Sequence, residues 1–515
     1  MEMELIKCPL NKYTFSIKPI REWVEHECEG KVLNLFAGQT KLNVDEVRND
    51  IDETMNAEYH EDAYSFVLNW TGEKFDTIIL DPPYCYDEET EILTEEGWRY
   101  FKELTGTETV ATLNPATHKL EYQQITDFYN SDYNGEMVKV KSGSIDLMVT
   151  PDHDLYVRKL WKSNKFKKVK AKDLDFGCNF KSDCDWDGEE KEFFYLPRVE
   201  FDRHNRYGET SADVKAIPMD TWLVFLGWYL SEGCVDHTGT AYRVRIAQTN
   251  AEKRPLIENC LDELGYKYMI EANSYTIYNK QLAVYLRQFG KTKEKHIPKE
   301  VKSLPKRQLK LLLDTLILGD GCVYRESRFH KKYKKTYKSK RVSYTSYSKQ
   351  LIDDVHEIAL KCGYVCTLFN TKKEITNGVS NGYHLGITNH RKTPILRKKL
   401  LSKYVQTEEY KGRIYCVTAP NGLVYVRRNK DACWCGNSYR KSMEFYNGNR
   451  ASPFRKMKDA IPRILRLDGK VITFGYHSIS MGKGRGFAVE KVCLFSHGGA
   501  IHDTIATVER KISNV

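Results

Sequence analysis

Long apolar runs are absent from this chain of 515 residues. None approaches the roughly 18 consecutive apolar residues that a membrane-spanning helix requires. The first residues, Met-Glu-Met-Glu-Leu, also lack the basic stretch and apolar core of a secretory signal. We therefore expect a cytoplasmic protein that has no membrane partner.

The composition also lacks the marks of disorder and of a disulfide framework. The chain is 41% hydrophobic and 29% charged, which is ordinary for folded protein. Its 14 cysteines, in a long chain without a signal, favour reduced thiols. Cys433-Trp434-Cys435 does not have the CxxC spacing of a zinc site. The length predicts two or three domains.

The net charge of +10 is concentrated in the middle of the chain. Residues 1–84 carry −9 and residues 438–515 carry +8, so these flanks nearly cancel. Residues 85–437 contain 58 Lys and Arg against 47 Asp and Glu, a surplus of +11. This surplus indicates a polyanionic partner for the middle segment, and surplus lysine for solubility is the alternative.

An interrupted motif follows the predicted strand 75–80. The strand leads into Asp81-Pro82-Pro83-Tyr84, where a helix would be expected within a few residues. Instead, Cys85 opens a long segment of different character, and the first pattern resumes at Ser438. We interpret this as one protein inserted into a motif of another; a simple Asp-Pro-Pro turn is the alternative.

The first flank also contains a ligand-binding pattern. The predicted strand 31–36 breaks into the glycine turn Phe36-Ala37-Gly38, which would let a nucleotide-type ligand approach the backbone. Acidic residues follow at the end of a second predicted strand and beyond it: Asp50, Asp52 and Asp62.

Together with Asp81-Pro82-Pro83-Tyr84, this ordered set resembles the S-adenosylmethionine-dependent amino-methyltransferases. The resemblance implies an α/β Rossmann-like fold in which the glycine turn and the acids hold S-adenosylmethionine. It also implies that the Asp-Pro-Pro-Tyr loop binds the target amino group and stacks its tyrosine on a base turned out of its helix. DNA adenine N6 or cytosine N4 is the expected acceptor, and RNA is the alternative. Gln39 stands where the family often has a second glycine.

The second flank supplies the missing half of such a domain. Residues 452–467 predict a helix, and three strands follow at 470–476, 487–496 and 504–511. Neither flank could close a doubly wound sheet alone, but together they provide 162 residues, enough for one compact domain.

The ends of the insert resemble those of inteins, the self-splicing insertions. The shared features are a first-position nucleophile, a Thr-x-x-His motif, an assisting residue in a closing strand, a final asparagine and a following hydroxyl: Cys85, Thr150 with His153, Cys416, Asn437 and Ser438. Short Val-, Ile- and Tyr-rich runs between residues 99 and 200 predict β structure. The resemblance implies an all-β intein (Hint) splicing domain.

The first half of the implied chemistry takes place at the start of the insert. Cys85 attacks the Tyr84 carbonyl and forms a thioester. His153 protonates the departing amide nitrogen, while Thr150 polarises the strained peptide. Cys416 lies where the family usually carries an acid or a cysteine that assists these transfers.

The second half takes place at the end of the insert. Ser438 takes the acyl group as an ester, Asn437 cyclises and cuts the chain, and the ester rearranges to a peptide bond. Gly436 stands where inteins usually carry histidine. Cyclisation is therefore expected to need help from elsewhere, or to run slowly.

Two apolar helical segments inside the insert share a pattern. Residues 225–233 and 313–321 each end in an acid followed by glycine, at Glu232 and Asp320. Small residues four positions apart give each helix a flat face, so the helices can pack closely and bring the acids together. Paired carboxylates would hold divalent cations against a scissile phosphate. Two amphipathic core helices are the alternative.

This pair resembles the LAGLIDADG homing endonucleases. The resemblance implies an α+β domain, monomeric and pseudo-symmetric, that cuts a long site in double-stranded DNA with Mg²⁺. Lys295, in a Lys-His-Ile-Pro segment between the copies, is a further candidate catalytic residue. A decayed insert that splices and binds DNA without cleaving it is the alternative.

A basic stretch follows the second copy. Between Arg325 and Arg341, nine of seventeen residues are Lys or Arg. On a β-ribbon these side chains would meet phosphates and base edges. A solvated charged loop is the alternative.

The sequence therefore predicts a multidomain precursor, and its expected parts are two methyltransferase segments, two splicing segments and one endonuclease: residues 1–84 and 438–515, 85–210 and 401–437, and 211–400. Because the methyltransferase motif is severed between Tyr84 and Ser438, we expect little or no methyl transfer before splicing.

Overall fold

A computed structural model describes most of the chain. The described residues are 2–8, 14–50, 53, 55–61, 63–81, 85–151, 153–161, 165–201, 210–238, 241–330, 335–375, 378–388, 393–436, 453–475, 481–496 and 504–513. Seven of the predicted site residues lie outside these ranges: Asp52, Asp62, Pro82, Pro83, Tyr84, Asn437 and Ser438. Within these ranges, none of the helices has both the length and the apolar character needed to cross a bilayer.

The two flanks share one seven-stranded sheet. Its strands, in spatial order, are Glu2–Lys7, Phe487–Ser496, Thr504–Lys511, Leu465–Gly475, Phe75–Leu80, Val32–Asn34 and Glu46–Arg48. Phe75–Leu80 of the first flank pairs in parallel with Leu465–Gly475 of the second. Thr504–Lys511 runs antiparallel to both of its neighbours. The sheet is therefore completed only when the two flanks are combined.

Helices cover both faces of this sheet, and their bounds are Lys18–Glu27, Ala63–Asn69 and Pro453–Ile464. Successive strand residues point to opposite faces, so Ile78 and Ile79 belong to different apolar clusters. The helix predicted at 452–467 is confirmed with shorter ends, Pro453–Ile464. The helix Lys18–Glu27 stops at Glu27, since Cys28 is already extended, with φ −69° and ψ 137°.

The outer parts of the insert are built mainly of strands, as predicted. Their bounds are Thr90–Thr94, Gly97–Tyr100, Thr109–Leu113, Leu120–Gln124, Asp127–Lys141, Asp146–Val149, Asp154–Lys159, Lys167–Lys170, Cys178–Phe180, Ile395–Leu396, Val405–Thr418, Leu423–Arg428 and Asp431–Gly436, with one short helix at Leu401–Tyr404. Leu423–Arg428 pairs with both Thr90–Thr94 and Asp431–Gly436. The beginning and the end of the insert thus share one sheet.

The middle of the insert contains the same unit twice: a helix, two strands, a second helix and two more strands. The first copy comprises Met219–Glu232, Gly233–Thr238, Ala241–Ala247, Arg254–Leu264, Tyr268–Ile270 and Ser274–Tyr278. The second comprises Lys306–Asp320, Gly321–His330, Lys335–Ser346, Lys349–Lys361, Val365–Ile375 and Gly378–Thr388. In both copies the strands pair in the spatial order first, second, fourth, third. The middle is therefore internally pseudo-symmetric.

Short elements connect these copies to the rest of the insert. They are the strands Phe193–Leu196, Val199–Glu200, Ser211–Ala212 and Lys215–Pro218, and the helices Lys280–Leu286 and Lys299–Lys302.

Candidate functional site

The first residue of the insert is fully buried and held by the predicted threonine. The Cys85 N–H donates to Thr150 Oγ1 at 2.8 Å, and the Thr150 N–H donates to the Cys85 carbonyl at 2.9 Å. The Cys85 nitrogen belongs to the peptide bond that the predicted first step breaks. Thr150 therefore contacts that peptide group directly, where it can stabilise charge as the bond is attacked.

Cys416 lies beside this position. Tyr86 and Tyr415 exchange backbone hydrogen bonds of 2.8 and 2.9 Å. Their antiparallel pairing sets Cys85 opposite Cys416, and both thiols belong to one buried apolar cluster. The structure thus brings together two sulfur atoms that are more than 300 residues apart in sequence.

His153 lies near the last strand of the insert. Its Nε2 is 3.6 Å from Cys435 Sγ, and its ring meets the Tyr86 ring edge-on at 4.2 Å. Burial lowers the pKa of His153 to about 3, so the imidazole is neutral at pH 7. A neutral ring can donate one N–H. The contacts of this ring are to Tyr86 and Cys435, and its assistance to departure of the Cys85 nitrogen stays a prediction.

The last described residue of the insert, Gly436, is reached by a tyrosine from the other end. The Tyr86 hydroxyl donates to the Gly436 carbonyl. A β-carbon added at Gly436 would lie 2.5 Å from both Asp154 Cβ and the Asp154 backbone oxygen. The backbone of this last strand therefore packs too closely for the histidine that inteins usually carry there. Tyr86 immediately follows the predicted nucleophile, but no motif in the sequence marks it as a site residue.

The two repeated helices of the middle pack face to face. A β-carbon added at Gly227 would lie 2.7 Å from Thr315 Cβ, and one added at Gly319 would overlap the Ser231 side chain. These four small residues form the flat faces that the sequence predicts. Because both helices end at this contact, they bring Glu232 and Asp320 together.

The electrostatics of this carboxylate pair reflect its burial. Burial, followed by the nearby charge of Glu232, raises the pKa of Asp320 to about 6. In the described part of the chain, no group of three or more His, Cys, Asp or Glu side chains is arranged to hold a metal ion. A Mg²⁺ between Glu232 and Asp320 would therefore take further oxygen ligands from water and phosphate, as this ion commonly does.

Lys295 reaches the end of the first helix. Its ammonium group donates to the carbonyls of Tyr229, Leu230 and Gly233 at 3.0, 2.9 and 2.8 Å. These bonds use all three of its N–H donors. Burial lowers the pKa of Lys295 to about 8. This geometry gives Lys295 a role in holding the helix end that carries Glu232, and a direct catalytic role remains a prediction.

Two polar residues of this site were missed by the sequence analysis. Gln248 Nε2 donates to Glu232 Oε1 at 3.2 Å, and Lys253 Nζ donates to the Gly319 carbonyl at 3.1 Å. Both follow the second strand of the first copy. Their signal in the sequence is their position: both are polar residues that follow the second strand after an acidic helix end.

The described residues of the basic stretch form a β-ribbon, one of the two interpretations that the sequence left open. Gly321–His330 pairs antiparallel with Lys335–Ser346, with Arg325 opposite Lys340. The ribbon continues directly from Asp320. The basic stretch therefore follows the helix that ends in Asp320 as the next element of the chain.

The flank sheet has its own candidate site at one edge. The parallel strands Val32–Asn34 and Phe75–Leu80 end on the same side, which puts the glycine turn near Asp81. The Gly38 N–H donates to Asp50 Oδ2 at 2.9 Å, and Phe36 packs on the apolar cluster beneath.

A buried arginine braces this glycine turn and was not predicted. The Arg48 guanidinium donates to the carbonyls of Ala37 and Gly38 at 3.3 and 2.8 Å. It also pairs with Glu46 at 2.6 Å. The turn is thus fixed by the edge strand Glu46–Arg48.

Comparison with known families and solved structures finds similarity within the insert. Residues 307–400 match the LAGLIDADG-like domain family. Solved structures similar to the chain include an intein-like domain from Clostridium thermocellum (16% identity, TM-score 0.16, covering 27% of this chain and 79% of that chain). They also include the homing endonuclease I-WcaI bound to its DNA recognition sequence (12% identity, TM-score 0.22, covering 34% and 78%).

Two curated proteins are similar in sequence. The ATP-dependent Clp protease proteolytic subunit of Chlamydomonas moewusii is 28% identical over 317 residues, which cover 58% of this chain and 30% of that protein. The DNA-directed RNA polymerase subunit beta C-terminal section of Stigeoclonium helveticum is 26% identical over 475 residues, covering 83% and 41%. The chain therefore spans less than half the length of these relatives.

Proposed function

We propose that residues 85–437 are an intein that excises itself and joins the two flanks. The observation that carries this proposal is the meeting of the two ends of the insert. The Cys85 N–H is hydrogen-bonded to Thr150, and Cys85 lies opposite Cys416. The Tyr86 hydroxyl is hydrogen-bonded to the Gly436 carbonyl. The single sheet that the two flanks share gives further support.

The proposed reaction balances without an external cofactor. The Cys85 sulfur bonds to the Tyr84 carbonyl carbon as the amide bond breaks, and the Cys85 nitrogen gains a proton. The Ser438 oxygen then takes over the acyl group, which returns the thiol. The side-chain nitrogen of Asn437 bonds to the main-chain carbonyl carbon of Asn437, and the peptide bond between Asn437 and Ser438 breaks. Finally, the acyl group moves from the side-chain oxygen of Ser438 to the freed main-chain nitrogen of Ser438, which forms a normal peptide bond.

Gel electrophoresis of the expressed chain tests splicing. We expect products of 162 and 353 residues to replace the 515-residue precursor. The Cys85→Ala/Asn437→Ala chain is the control and should remain intact. Unmodified precursor that does not change with time or added thiol would contradict the proposal.

We propose that the middle of the insert is a DNA endonuclease of the LAGLIDADG type. The family match to residues 307–400 and the helix pair ending in Glu232 and Asp320 support it. The two carboxylates would hold Mg²⁺, which polarises the scissile phosphate, and the basic ribbon would hold the duplex. Gln248 would orient the Glu232 carboxylate toward the ion.

DNA carrying the uninterrupted coding sequence tests this activity. We expect double-strand cleavage with Mg²⁺, and Glu232→Gln or Asp320→Asn should lower it by about a hundredfold or more, because each removes a charged metal ligand. Glu252→Gln and Asp262→Asn are matched controls outside the carboxylate pair. Binding of this DNA without cleavage by the unaltered chain would instead favour the decayed insert.

For the joined flanks we propose an S-adenosylmethionine-dependent amino-methyltransferase acting on DNA. Support comes from the position of the Phe36-Ala37-Gly38 turn near Asp81, with Asp50 bonded to the turn. Asp52, Asp62 and the Pro82-Pro83-Tyr84 segment would complete the cofactor and target sites.

Transfer of labelled methyl groups to DNA and to RNA tests this proposal. We expect the spliced protein to methylate DNA, and Asp81→Ala should abolish the transfer. The Cys85→Ala/Asn437→Ala precursor should be inactive or poor. Labelling of RNA alone would favour the alternative acceptor, and equal activity of the blocked precursor would contradict the need for splicing.

A further inference from the structure

One hydrogen bond joins the two ends of the insert across 350 positions of sequence. Its donor is the hydroxyl of Tyr86, the second residue of the insert. Its acceptor is the carbonyl of Gly436, the second-last residue. That carbonyl belongs to the peptide group that also contains the Asn437 nitrogen. The bond therefore acts next to the asparagine that must cyclise.

The Tyr86 ring is fixed in place. It stacks on Phe101 with ring centroids 4.8 Å apart and meets His153 edge-on at 4.2 Å. The side chain is fully buried. Burial, with Cys435 nearby, also raises the pKa of Tyr86 well above its ordinary value, so the hydroxyl keeps its proton at neutral and alkaline pH.

The acceptor strand is fixed on its other side. Cys435 Sγ donates to the Asp154 carbonyl at 3.5 Å. A β-carbon at Gly436 would meet that same carbonyl oxygen at 2.5 Å. A glycine is thus required for the strand to pack against Asp154, and this packing brings the Gly436 carbonyl within reach of Tyr86.

We propose that Tyr86 is a positioning residue for cyclisation of Asn437. It holds the Gly436–Asn437 peptide group in one orientation. The side-chain nitrogen of Asn437 then meets the main-chain carbonyl carbon of Asn437 more often in the reactive geometry. Tyr86, at the beginning of the insert, thereby assists cyclisation. Position 436 cannot do so with a side chain, because it is a glycine. This inference rests on the proposed splicing function.

The test separates cleavage at the two ends of the insert. In the full chain carrying Cys85→Ala, the first step is blocked, and release of residues 438–515 measures cyclisation. Tyr86→Phe should slow this release by about tenfold, as loss of one buried hydrogen bond implies. Tyr425→Phe is the matched control, because its buried hydroxyl also donates to a carbonyl, that of Ser182.

A second arm measures the start of the insert. In the full chain carrying Asn437→Ala, thiol-induced release of residues 1–84 should change less than about twofold with Tyr86→Phe, because the hydroxyl donates its hydrogen bond to the Gly436 carbonyl at the other end of the insert. Equal slowing of both releases would show a general packing role and overturn the inference. Unchanged release of residues 438–515 would also overturn it.

The same experiment distinguishes failure of the inference from failure of the proposed function. If the Cys85→Ala chain with Tyr86 intact never releases residues 438–515, the proposed splicing chemistry itself fails, and the inference fails with it. If it does release them and Tyr86→Phe has no effect, only the inference fails. Gly436→Ala provides a further check and should slow the same release, because its β-carbon displaces the strand from Asp154.

Discussion

Two buried imidazoles, His153 and His356, link the stability of the insert to pH. Burial lowers the pKa of each to about 3. An unfolded histidine titrates near 6.5, so between the two pKa values the unfolded chain binds more protons than the folded one. Stability is therefore full above about pH 6.5 and is lost as the pH falls, by about 1.4 kcal/mol per pH unit for each residue.

Replacing one of these imidazoles should reduce this dependence on pH. His356 lies beside Arg427, whose positive charge lowers the pKa of His356 further. The charge of Lys349 also lowers this pKa, and the charge of Asp353 raises it. His356→Phe should decrease the stability lost between pH 7 and pH 5 by about 2 kcal/mol. Urea unfolding of the splicing-blocked chain at both pH values measures this. The exposed His26→Phe is the control, and an undiminished loss in His356→Phe would refute the prediction.

At the residue scale, the spacing of motifs predicted some site members but not others. Cys85 and Thr150 could be proposed because a nucleophile at a break in character and a Thr-x-x-His motif are visible in sequence. Tyr86 and Gly436 could not be paired, because a hydrogen bond across 350 residues leaves no periodic signal. Arg48 was missed for a similar reason, because its role depends on the carbonyls of the turn that follows another strand.

At the scale of elements, the two central helices depend on their small residues for close approach. Alanine is favoured over glycine in a helix by about 1 kcal/mol when nothing opposes it. At Gly227 the added β-carbon would meet Thr315 Cβ, which belongs to a fully packed neighbour. Steric overlap therefore outweighs helix propensity at this position.

We expect Gly227→Ala to destabilise the chain by about 1–3 kcal/mol, the usual cost of overpacking. It should also lower DNA cleavage, because separating the helices separates Glu232 from Asp320. Thermal unfolding and cleavage assays measure both effects. Gly143→Ala is the matched control, because a β-carbon there has no neighbour within 4 Å among the described residues. A stabilised Gly227→Ala chain would contradict the proposed packing.

Periodicity predicted these elements well, but their bounds and partners less well. The apolar pattern indicated both helices that end in an acid. For the basic stretch after Asp320 the sequence left a ribbon and a solvated loop open. The sequence analysis gave no sign that Val365–Ile375 of the second copy pairs with Asp431–Gly436 of the splicing part. Strand pairing between distant segments is set by tertiary packing rather than by local pattern.

At the scale of the whole molecule, buried charges join the outer strands of the insert (the proposed splicing part) to its repeated middle (the proposed endonuclease part). Arg427 is fully buried and donates to Glu91 at 2.6 and 2.8 Å and to Asp353 at 2.8 Å. Its guanidinium also lies 4.1 Å from the centre of the Trp98 ring. Asp353 belongs to the second helix of the second copy, so the two parts share one ionic cluster.

A second cluster strengthens this contact. Lys302 pairs with Asp354 at 3.1 Å and with Glu357 at 2.9 Å. The hydroxyl of Tyr122, from the splicing part, donates to Glu357 at 2.7 Å. The endonuclease part is therefore packed into the splicing part, and removing it would expose aromatic and charged groups that are now buried.

The Arg427 cluster gives a prediction for the whole molecule. Arg427→Met leaves the buried carboxylates of Glu91 and Asp353 with Lys349, a partly exposed side chain, as their remaining cationic partner. This loss should cost about 3 kcal/mol of stability. Because the cluster belongs to both parts, splicing and DNA cleavage should then be lost at similar, lower urea concentrations. Arg198→Met is the control, because its pairs with Glu200 and Asp213 are exposed and contribute about 1 kcal/mol or less.

A compensated variant distinguishes an unpaired charge from simple loss of packing. Replacing the cluster with apolar residues, as Glu91→Leu/Asp353→Leu/Arg427→Met, removes the buried carboxylates together with the arginine. Buried ionic clusters replaced in this way are commonly as stable as before or more so, by about 1–4 kcal/mol. We therefore expect the triple variant to recover most of the stability that Arg427→Met loses, measured by urea unfolding. If the triple variant were no more stable than Arg427→Met, shape rather than charge would hold the two parts together.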